Sequence, residues 1–154
     1  MSLIKVSITS PEEIKINLSE SIDLSGVFWI EPPRLMQIKM IDDFTVLNER
    51  NGYIIVCVPQ DLDNYKVKEI EAYVTTPSQN GNIVINVKNI TKNLNILNQN
   101  IIIEPGKYTS YQSQNRPEIN ENNNIVNVGD LIEIKTLSFG ENAKGLGIIL
   151  KFGR

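Results

Sequence analysis

The stretch IVNVGDLIEIKTLSFGENAKGLGIILKFGR, residues 125–154, decides the fold that the sequence predicts. Two sets of apolar residues in it recur at every second position: Val126, Val128, Ile132 and Ile134, then Leu146, Ile148, Leu150 and Phe152. In a strand this spacing places one set of side chains on a single face. The stretch therefore predicts a hairpin of two long strands, joined by a loop that contains Gly and Asn. The second strand is expected to lie inside a sheet.

The rest of the chain repeats this alternation in shorter pieces. Ile70, Ala72 and Val74, for example, alternate with polar residues, and clusters of Pro, Gly and Asn separate such runs. Roughly eight to ten short strands with turns between them are typical of a sandwich or barrel. We therefore predict an all-β fold, an antiparallel β-sandwich with little helix. Residues 21–154 are assigned to this single domain.

Three local patterns refine the predicted sandwich. The near-continuous apolar run at residues 53–58 predicts a strand buried on both faces, so that Cys57 is expected to be a small core residue. Asp42 and Asp43 are interpreted as a turn between two strands. The glycines of KGLG, residues 144–147, are interpreted as small residues that let the last strand pass close to a neighbouring one.

Residues 1–20 allow two interpretations. Ile4, Val6 and Ile8 alternate with polar residues, and Pro11 then marks a bend. The segment is either the first hairpin of the sandwich or an arm that adds to the sheet of a neighbouring subunit. The arm is the preferred interpretation, which makes Ile4, Val6 and Ile8 candidate interaction residues.

Charge and hydropathy argue against two classes of partner. The 15 basic and 18 acidic residues are well mixed and give a net charge of −3. Without a basic face or run, nucleic acid is not expected to be the main partner. The N-terminus lacks the apolar stretch of a secretory signal, and no run approaches the roughly 18 apolar residues of a membrane span. We therefore expect neither a signal peptide nor membrane insertion.

The residue types that carry most enzymatic chemistry are missing. The chain has no His, which removes the commonest general base, the Ser-His-Asp and Cys-His arrangements and the commonest zinc ligand. Its single Cys has no partner for an internal disulfide. We therefore expect no enzymatic activity, no cofactor and no transition-metal site.

Two pairs of carboxylates remain as candidates for chemistry. Asp61 and Asp63 lie in a polar loop and have the spacing to share a calcium ion, but the other ligands of a calcium loop are missing. Glu69 and Glu71 share one face of a predicted strand. A glycosidase pair would need another carboxylate that faces them across a cleft. The preferred interpretation is that Asp61 and Asp63 are solvated turn residues and that Glu69 and Glu71 are surface charges.

The long polar stretch at residues 107–124 is predicted to be an exposed connection. It contains Tyr108, Tyr111 and Arg116, and both residue types are enriched in recognition surfaces. These three side chains are candidates for contact with a sugar or a neighbouring subunit. The alternative is that they are ordinary loop residues.

Six motifs follow one another from residue 53 to the end of the chain: YIIVCVP, KVKEIEAYVTTPSQNGNIVINVKNIT, NLNILN, IIIEPGKYTSY, VNVGDLIEIKTLSF and AKGLGIILKF. This order, above all a strand after Gly-Asp followed by a terminal GLG strand, resembles the jelly-roll modules of tailed-bacteriophage structural proteins. Head-fibre, capsid-decoration and tail-associated modules share it. The resemblance covers residues 53–154, whereas residues 21–50 fit it loosely and residues 1–20 not at all.

The resemblance implies a virion structural protein without catalysis. It implies a location in the virion, often assembly as a homotrimer, and docking on other virion proteins such as the capsid. Two alternatives come from other classes. One is a carbohydrate-binding module or receptor-binding domain that contacts a host-surface glycan. Its weakness is an aromatic content of 6% with a single Trp. The other alternative, a glycan-degrading enzyme, has the least support.

Overall fold

Antiparallel strands dominate the computed structural model, which describes residues 32–154. The chain divides into the units Met1–Pro32 and Pro33–Arg154, and the fold below is that of the second. Eleven strands follow in chain order: β1 (Arg34–Val46), β2 (Tyr53–Cys57), β3 (Tyr65–Thr76), β4 (Ile83–Asn89), β5 (Leu94–Asn95), β6 (Leu97–Gln99), β7 (Ile101–Ile103), β8 (Glu118–Ile119), β9 (Ile125–Val126), β10 (Leu131–Phe139) and β11 (Lys144–Gly153).

The strands form two main sheets and one small pair. Sheet A has the order β1-β11-β3-β9, and sheet B has the order β2-β10-β4-β5 with β7 also paired to β4. Strands β6 and β8 pair with each other. Between residues 32 and 154 the only helical elements are two 3-10 turns, Gln60–Leu62 and Ser110–Gln112. The predicted all-β sandwich with little helix is confirmed.

The last two strands do not form the predicted hairpin. β10 pairs with β2 and β4 in sheet B, whereas β11 pairs with β1 and β3 in sheet A. The loop between them therefore crosses from one sheet to the other. Gly140 and Asn142 have φ angles of 64° and 58°, the left-handed region that a sharp change of direction requires. The hairpin prediction is wrong, but the prediction that the last strand lies inside a sheet is confirmed.

The core lies between the inner faces of the two sheets. Sheet A contributes residues that include Ile70, Ala72, Val74, Leu146, Ile148, Leu150 and Phe152, and sheet B residues that include Ile83, Ile85, Val87, Ile132 and Ile134. All of them are buried, as the alternation predicted. Val126 is also buried, but Val128 is 47% exposed because the chain turns between Asn127 and Asp130 and interrupts the alternation.

Strand β2 is less buried than its sequence predicted. Among the described residues it pairs only with β10, so it is an edge strand with one face open to solvent. Tyr53, Ile55 and Cys57 point to that face and are exposed. The predictions of burial on both faces, and of a core position for Cys57, are therefore wrong. Asp42 and Asp43 are likewise not a turn, because β1 continues through them to Val46.

The glycines of the last strand have the predicted structural role. A Cβ atom at Gly147 would lie 2.1 Å from the ring of Tyr73 on the neighbouring β3. At Gly145 a Cβ atom would lie 2.8 Å from the Cα of Asp43 on β1. Both distances are too short for any side chain, so β11 approaches its two neighbours only because these positions lack one.

Several predictions fall outside the described residues. They include the division at residue 20, the arm or first hairpin at residues 1–20, and the candidate interaction residues Ile4, Val6 and Ile8. In the part of the chain that is described, no helix is long and apolar enough to cross a membrane.

Val126 and Val128 offer a matched test of the sandwich. Val126→Ala is expected to lower the free energy of unfolding by about 1.5–3 kcal/mol, because it removes buried methyl groups and leaves a cavity. Val128→Ala is expected to change it by less than about 0.5 kcal/mol, since that side chain is largely in solvent. Urea denaturation of the two variants measures the difference. Equal losses would mean that both valines lie on one buried face, as the simple alternation suggests.

Candidate interaction site

The polar segment after β7 runs along the edge of sheet A. The backbone N–H of Val74 donates to the carbonyl of Tyr108 at 2.8 Å, and Thr109 forms an isolated bridge with Tyr73. The N–H of Ala72 then donates to the hydroxyl of Ser110 at 2.9 Å. These contacts close part of the edge of β3 that faces away from β11, and exposed strand edges are liabilities for unwanted pairing. The predicted exposed connection is thus partly packed, with Ser110 fully buried.

Glu71 is the residue most affected by this packing. Its position on the outer face of β3 predicted a surface charge, but it is only 2% exposed. The Ser110 hydroxyl and the Arg116 guanidinium both contact its carboxylate. A buried carboxylate needs such partners, because desolvation of an unpaired charge costs several kcal/mol. The prediction of a surface pair at Glu69 and Glu71 is therefore wrong for Glu71, which helps to hold the segment on the sheet.

Tyr111 and Arg116 lie together beside this carboxylate. The Arg116 guanidinium is 4.9 Å from the centre of the Tyr111 ring, a distance at which a cation and a ring attract each other. The Tyr111 hydroxyl donates to Glu69 Oε1 at 2.7 Å. That hydrogen bond, with burial, raises the pKa of Tyr111 to about 12. We call Glu69, Glu71, Tyr111 and Arg116 the Tyr111 cluster.

Tyr108 is placed differently from the other two candidates. It precedes the 3-10 turn with its side chain 53% exposed, while its backbone N–H donates to the side chain of Gln112 at 2.9 Å. The structure thus brings Tyr111 and Arg116 into contact and leaves Tyr108 outside the Tyr111 cluster. Because Tyr111 and Arg116 are both engaged within the chain, their first role is to anchor the segment.

An open recess of about 330 Å³ lies next to the Tyr111 cluster on the outer face of sheet A. Its lining consists of Pro33, Leu35, Glu69, Tyr111, Ile149 and Lys151. Leu35 pairs in register with Lys151, which in turn pairs with Glu69, so the lining crosses three strands. We call this feature the recess.

The sequence analysis missed four residues of the recess: Pro33, Leu35, Ile149 and Lys151. Leu35 and Ile149 are apolar residues on the parity that faces away from the core. Apolar residues at these outward-facing positions of two strands were the sequence signal that could have predicted an apolar outer surface. Only the pairing of β1 with β11 shows that they lie together.

Asp63 and Asp61 have different surroundings in the described residues. The Asp63 Oδ1 accepts the backbone N–H of Val128 at 2.9 Å and so holds the turn before β10, whereas Asp61 is exposed. Between residues 32 and 154 there is no group of three or more His, Cys, Asp or Glu side chains that could hold a metal ion.

The Gly-Asp motif before β10 has a structural explanation. Asp130 is buried, and its Oδ2 accepts the backbone N–H of Asn127 at 2.9 Å and the side-chain amide of Asn89 at 2.8 Å. The Lys92 ammonium lies 3.0 Å from the same oxygen. Burial alone would raise the pKa of Asp130, but these three partners outweigh it and lower the pKa below its usual range. The carboxylate thus ties the turn to β4.

Comparison of the chain with protein-family models, with curated proteins and with solved structures finds no match. The functional argument therefore rests on the residues and contacts described above.

Arg116→Ala tests the anchoring role of the Tyr111 cluster. It is expected to lower the free energy of unfolding by about 2–3 kcal/mol, because Glu71 is left buried without its cation. This is below the roughly 3–5 kcal/mol of a fully buried pair, since the Arg116 side chain is 49% exposed. Adding Glu71→Gln should recover part of the loss. Arg50→Ala, at an exposed turn, is the control and should cost less than about 0.5 kcal/mol.

Asp130 makes a prediction about pH. Its pKa in the folded chain is lower than in the unfolded chain, so its contribution to stability is present above the unfolded value near 3.8 and is lost as pH falls through the folded value. The gap in unfolding free energy between the native chain and Asp130→Asn should therefore shrink as pH falls from 7 towards 3. Urea titrations at several pH values measure this gap. Val128→Ala is the control, because its difference in unfolding free energy from the native chain should not change with pH. A gap independent of pH would contradict the assignment.

Proposed function

We propose that this chain is a non-enzymatic structural protein of a tailed-phage virion, which decorates the capsid or forms part of a head fibre or of a head/tail attachment. It acts by self-association, as a homotrimer, and by docking on the particle. The proposal is supported by the order of motifs from residue 53 to residue 154 and by an antiparallel sandwich in which one long edge has no partner strand among the described residues.

That uncovered edge is the observation that carries the proposal. β1 is 13 residues long and, among the described residues, pairs only with β11. Three of its apolar side chains, Leu35, Phe44 and Val46, are 71%, 91% and 41% exposed. A long unpaired strand edge is a template for pairing with another chain, and exposed apolar side chains on it add surface that association can bury. The opposite edge of sheet A is closed in part by the segment that contains Tyr108, Thr109 and Ser110.

The N-terminal residues supply a suitable partner for such an edge. An extended arm adds to a neighbouring sheet through backbone hydrogen bonds, while alternate side chains fill apolar positions. Burial of Ile4, Val6 and Ile8 on another chain or on the particle would contribute about 1.5–3 kcal/mol for each side chain. We assign the anchor to this segment for that reason.

The carbohydrate-binding alternative has weaker support from the contacts on sheet A. A sugar platform needs an aromatic ring with a free face and polar groups beside it. Tyr111 uses its hydroxyl on Glu69 and shares its ring with Arg116, so Tyr108 is the more available ring. The structural role therefore stays ahead of this alternative.

Deletion of residues 1–10 tests the proposal. We expect the shortened chain to keep its cooperative unfolding, because the sandwich of residues 33–154 is intact, and to lose its incorporation into particles. The measurement is the amount of chain that co-sediments with particles assembled without it.

A matched pair of triple variants sharpens this test. Ile4→Asp, Val6→Asp and Ile8→Asp together should act like the deletion, whereas Lys5→Ala, Ser7→Ala and Thr9→Ala, at the alternating polar positions, should incorporate normally. Normal incorporation of the shortened chain would refute the anchor. Absence of the full chain from particles, together with a monomeric mass in solution, would refute the proposed function itself.

A further inference from the structure

Phe44 is the most exposed of the large hydrophobic side chains in the described residues, at 91%. It lies in an irregular part of β1. Ile41 pairs with Leu146 and Val46 pairs with Lys144, so residues 42–45 have no partner in register on β11. The backbone between these two points bulges, and Phe44 lies near its middle. Bulges of this kind are used to redirect a side chain.

The bulge is fastened at both ends. Ile41 before it and Leu47 after it are 3% and 4% exposed, and the Leu47 N–H donates to the carbonyl of Ala143 at 2.9 Å. Within the bulge the Thr75 hydroxyl lies 2.7 Å from the carbonyl oxygen of Asp43. The phenyl ring is therefore displayed by an ordered backbone, and little conformational entropy would be lost if it were bound.

The recess has the size and the surface to receive such a ring. Leu35, Ile149 and Pro33 contribute apolar surface, and Tyr111 is held in place by its contacts in the Tyr111 cluster. The volume is about 330 Å³, and an apolar cavity of about 150 Å³ is known to be enough for benzene. A phenyl ring fits with room for neighbouring side chains.

Phe44 cannot fill the recess of its own chain. Leu35 lines the recess and is nine positions before Phe44 on the same strand. At about 3.3 Å per residue this separation is roughly 30 Å. A ring that enters the recess must come from another molecule.

The charges beside the two features are complementary. Asp42 is exposed next to Phe44, and Lys151 lines the recess; neither makes an ion pair with another residue of the described range. Asp43 is already paired with Lys39, at 2.7 Å, and the Glu69 Oε1 beside Lys151 accepts from Tyr111. Asp42 of one molecule and Lys151 of another are thus the groups available to pair.

We propose that Phe44 of one copy of this chain inserts into the recess of a second copy, with Asp42 facing Lys151. The inference rests on the self-association proposed above and names its two surfaces. They differ from each other, so the contact is head-to-tail. Such a contact forms a closed ring when the rotation that relates successive subunits adds up to a full turn. A homotrimer needs an interface of this type, because the two-fold contact of a dimer would place the same surface on both sides.

Phe44→Asp in the full chain is the first test. We expect its association constant, measured by sedimentation velocity, to fall at least tenfold, while Phe44→Leu keeps most of it. Leu137→Asp is the control, because Leu137 is 51% exposed on β10 in the other sheet and should leave association unchanged. Since Phe44 is exposed, circular dichroism and the unfolding transition of Phe44→Asp should match those of the native chain at concentrations at which both are monomeric.

Charge reversal provides an independent test of orientation. Asp42→Lys and Lys151→Asp should each weaken association, and the double variant should restore it. Photo-crosslinking from a benzoylphenylalanine at position 44, in a mixture of ¹⁴N and ¹⁵N chains, should link that position to Leu35, Ile149 or Lys151 of a differently labelled chain.

The outcomes separate this inference from the proposed function. If the native chain assembles and Phe44→Asp assembles equally well, the inference is wrong and self-association stands. Crosslinks to another surface, or to residues 1–20, would also overturn it. A native chain that stays monomeric at all concentrations and on particles would overturn both.

Discussion

The structure depends on the antiparallel pairing of β11 with β1 on one side and β3 on the other. This pairing places the last strand in the middle of sheet A, and its two faces then have separate roles. Leu146, Ile148 and Leu150 point inward and are almost completely buried in the core. Ile149 and Lys151 point outward and line the recess. Gly145 and Gly147 permit the close approach of both neighbours, so the packing of the core and the shape of the outer surface have one origin.

The outer face of sheet A is organised by a buried charge. Glu71 is covered by the segment after β7 and is held by Ser110 and Arg116. A buried carboxylate without such partners would destabilise the fold, so the segment is held in one arrangement. Arg116 and Glu69 then position Tyr111, which forms a wall of the recess. The polar contacts of this region thus give the apolar recess a defined shape.

The proposed self-association uses two exposed features of β1. One end of the strand contributes Leu35 to the recess, and the other displays Phe44 on a fastened bulge. A protein that assembles into a ring needs two different complementary surfaces, since a single self-complementary surface gives a two-fold pair. Apolar contact area, with a few pairs of charges that set orientation, is the usual source of affinity and specificity in such interfaces.

The fold class followed from the sequence, because the period-two alternation of residues such as Ile70, Ala72 and Val74 depends only on the geometry of a strand. The position of the last strand inside a sheet and the structural role of its glycines were also predicted. The alternation does not say which sheet a strand joins, and the expected hairpin of β10 and β11 was therefore wrong.

Burial of the opposite face is likewise decided by distant parts of the chain. Glu71 is buried because a segment about 40 positions later, with Ser110 and Arg116, packs over it. Cys57 is exposed because nothing in the described residues covers β2 on that side. Of the candidate recognition residues, the sequence identified Tyr111 and Arg116 by type alone. The recess beside them exists only where three strands and a distant tyrosine meet. Local spacing thus determined which side chains share a face, and long-range pairing determined what each face meets.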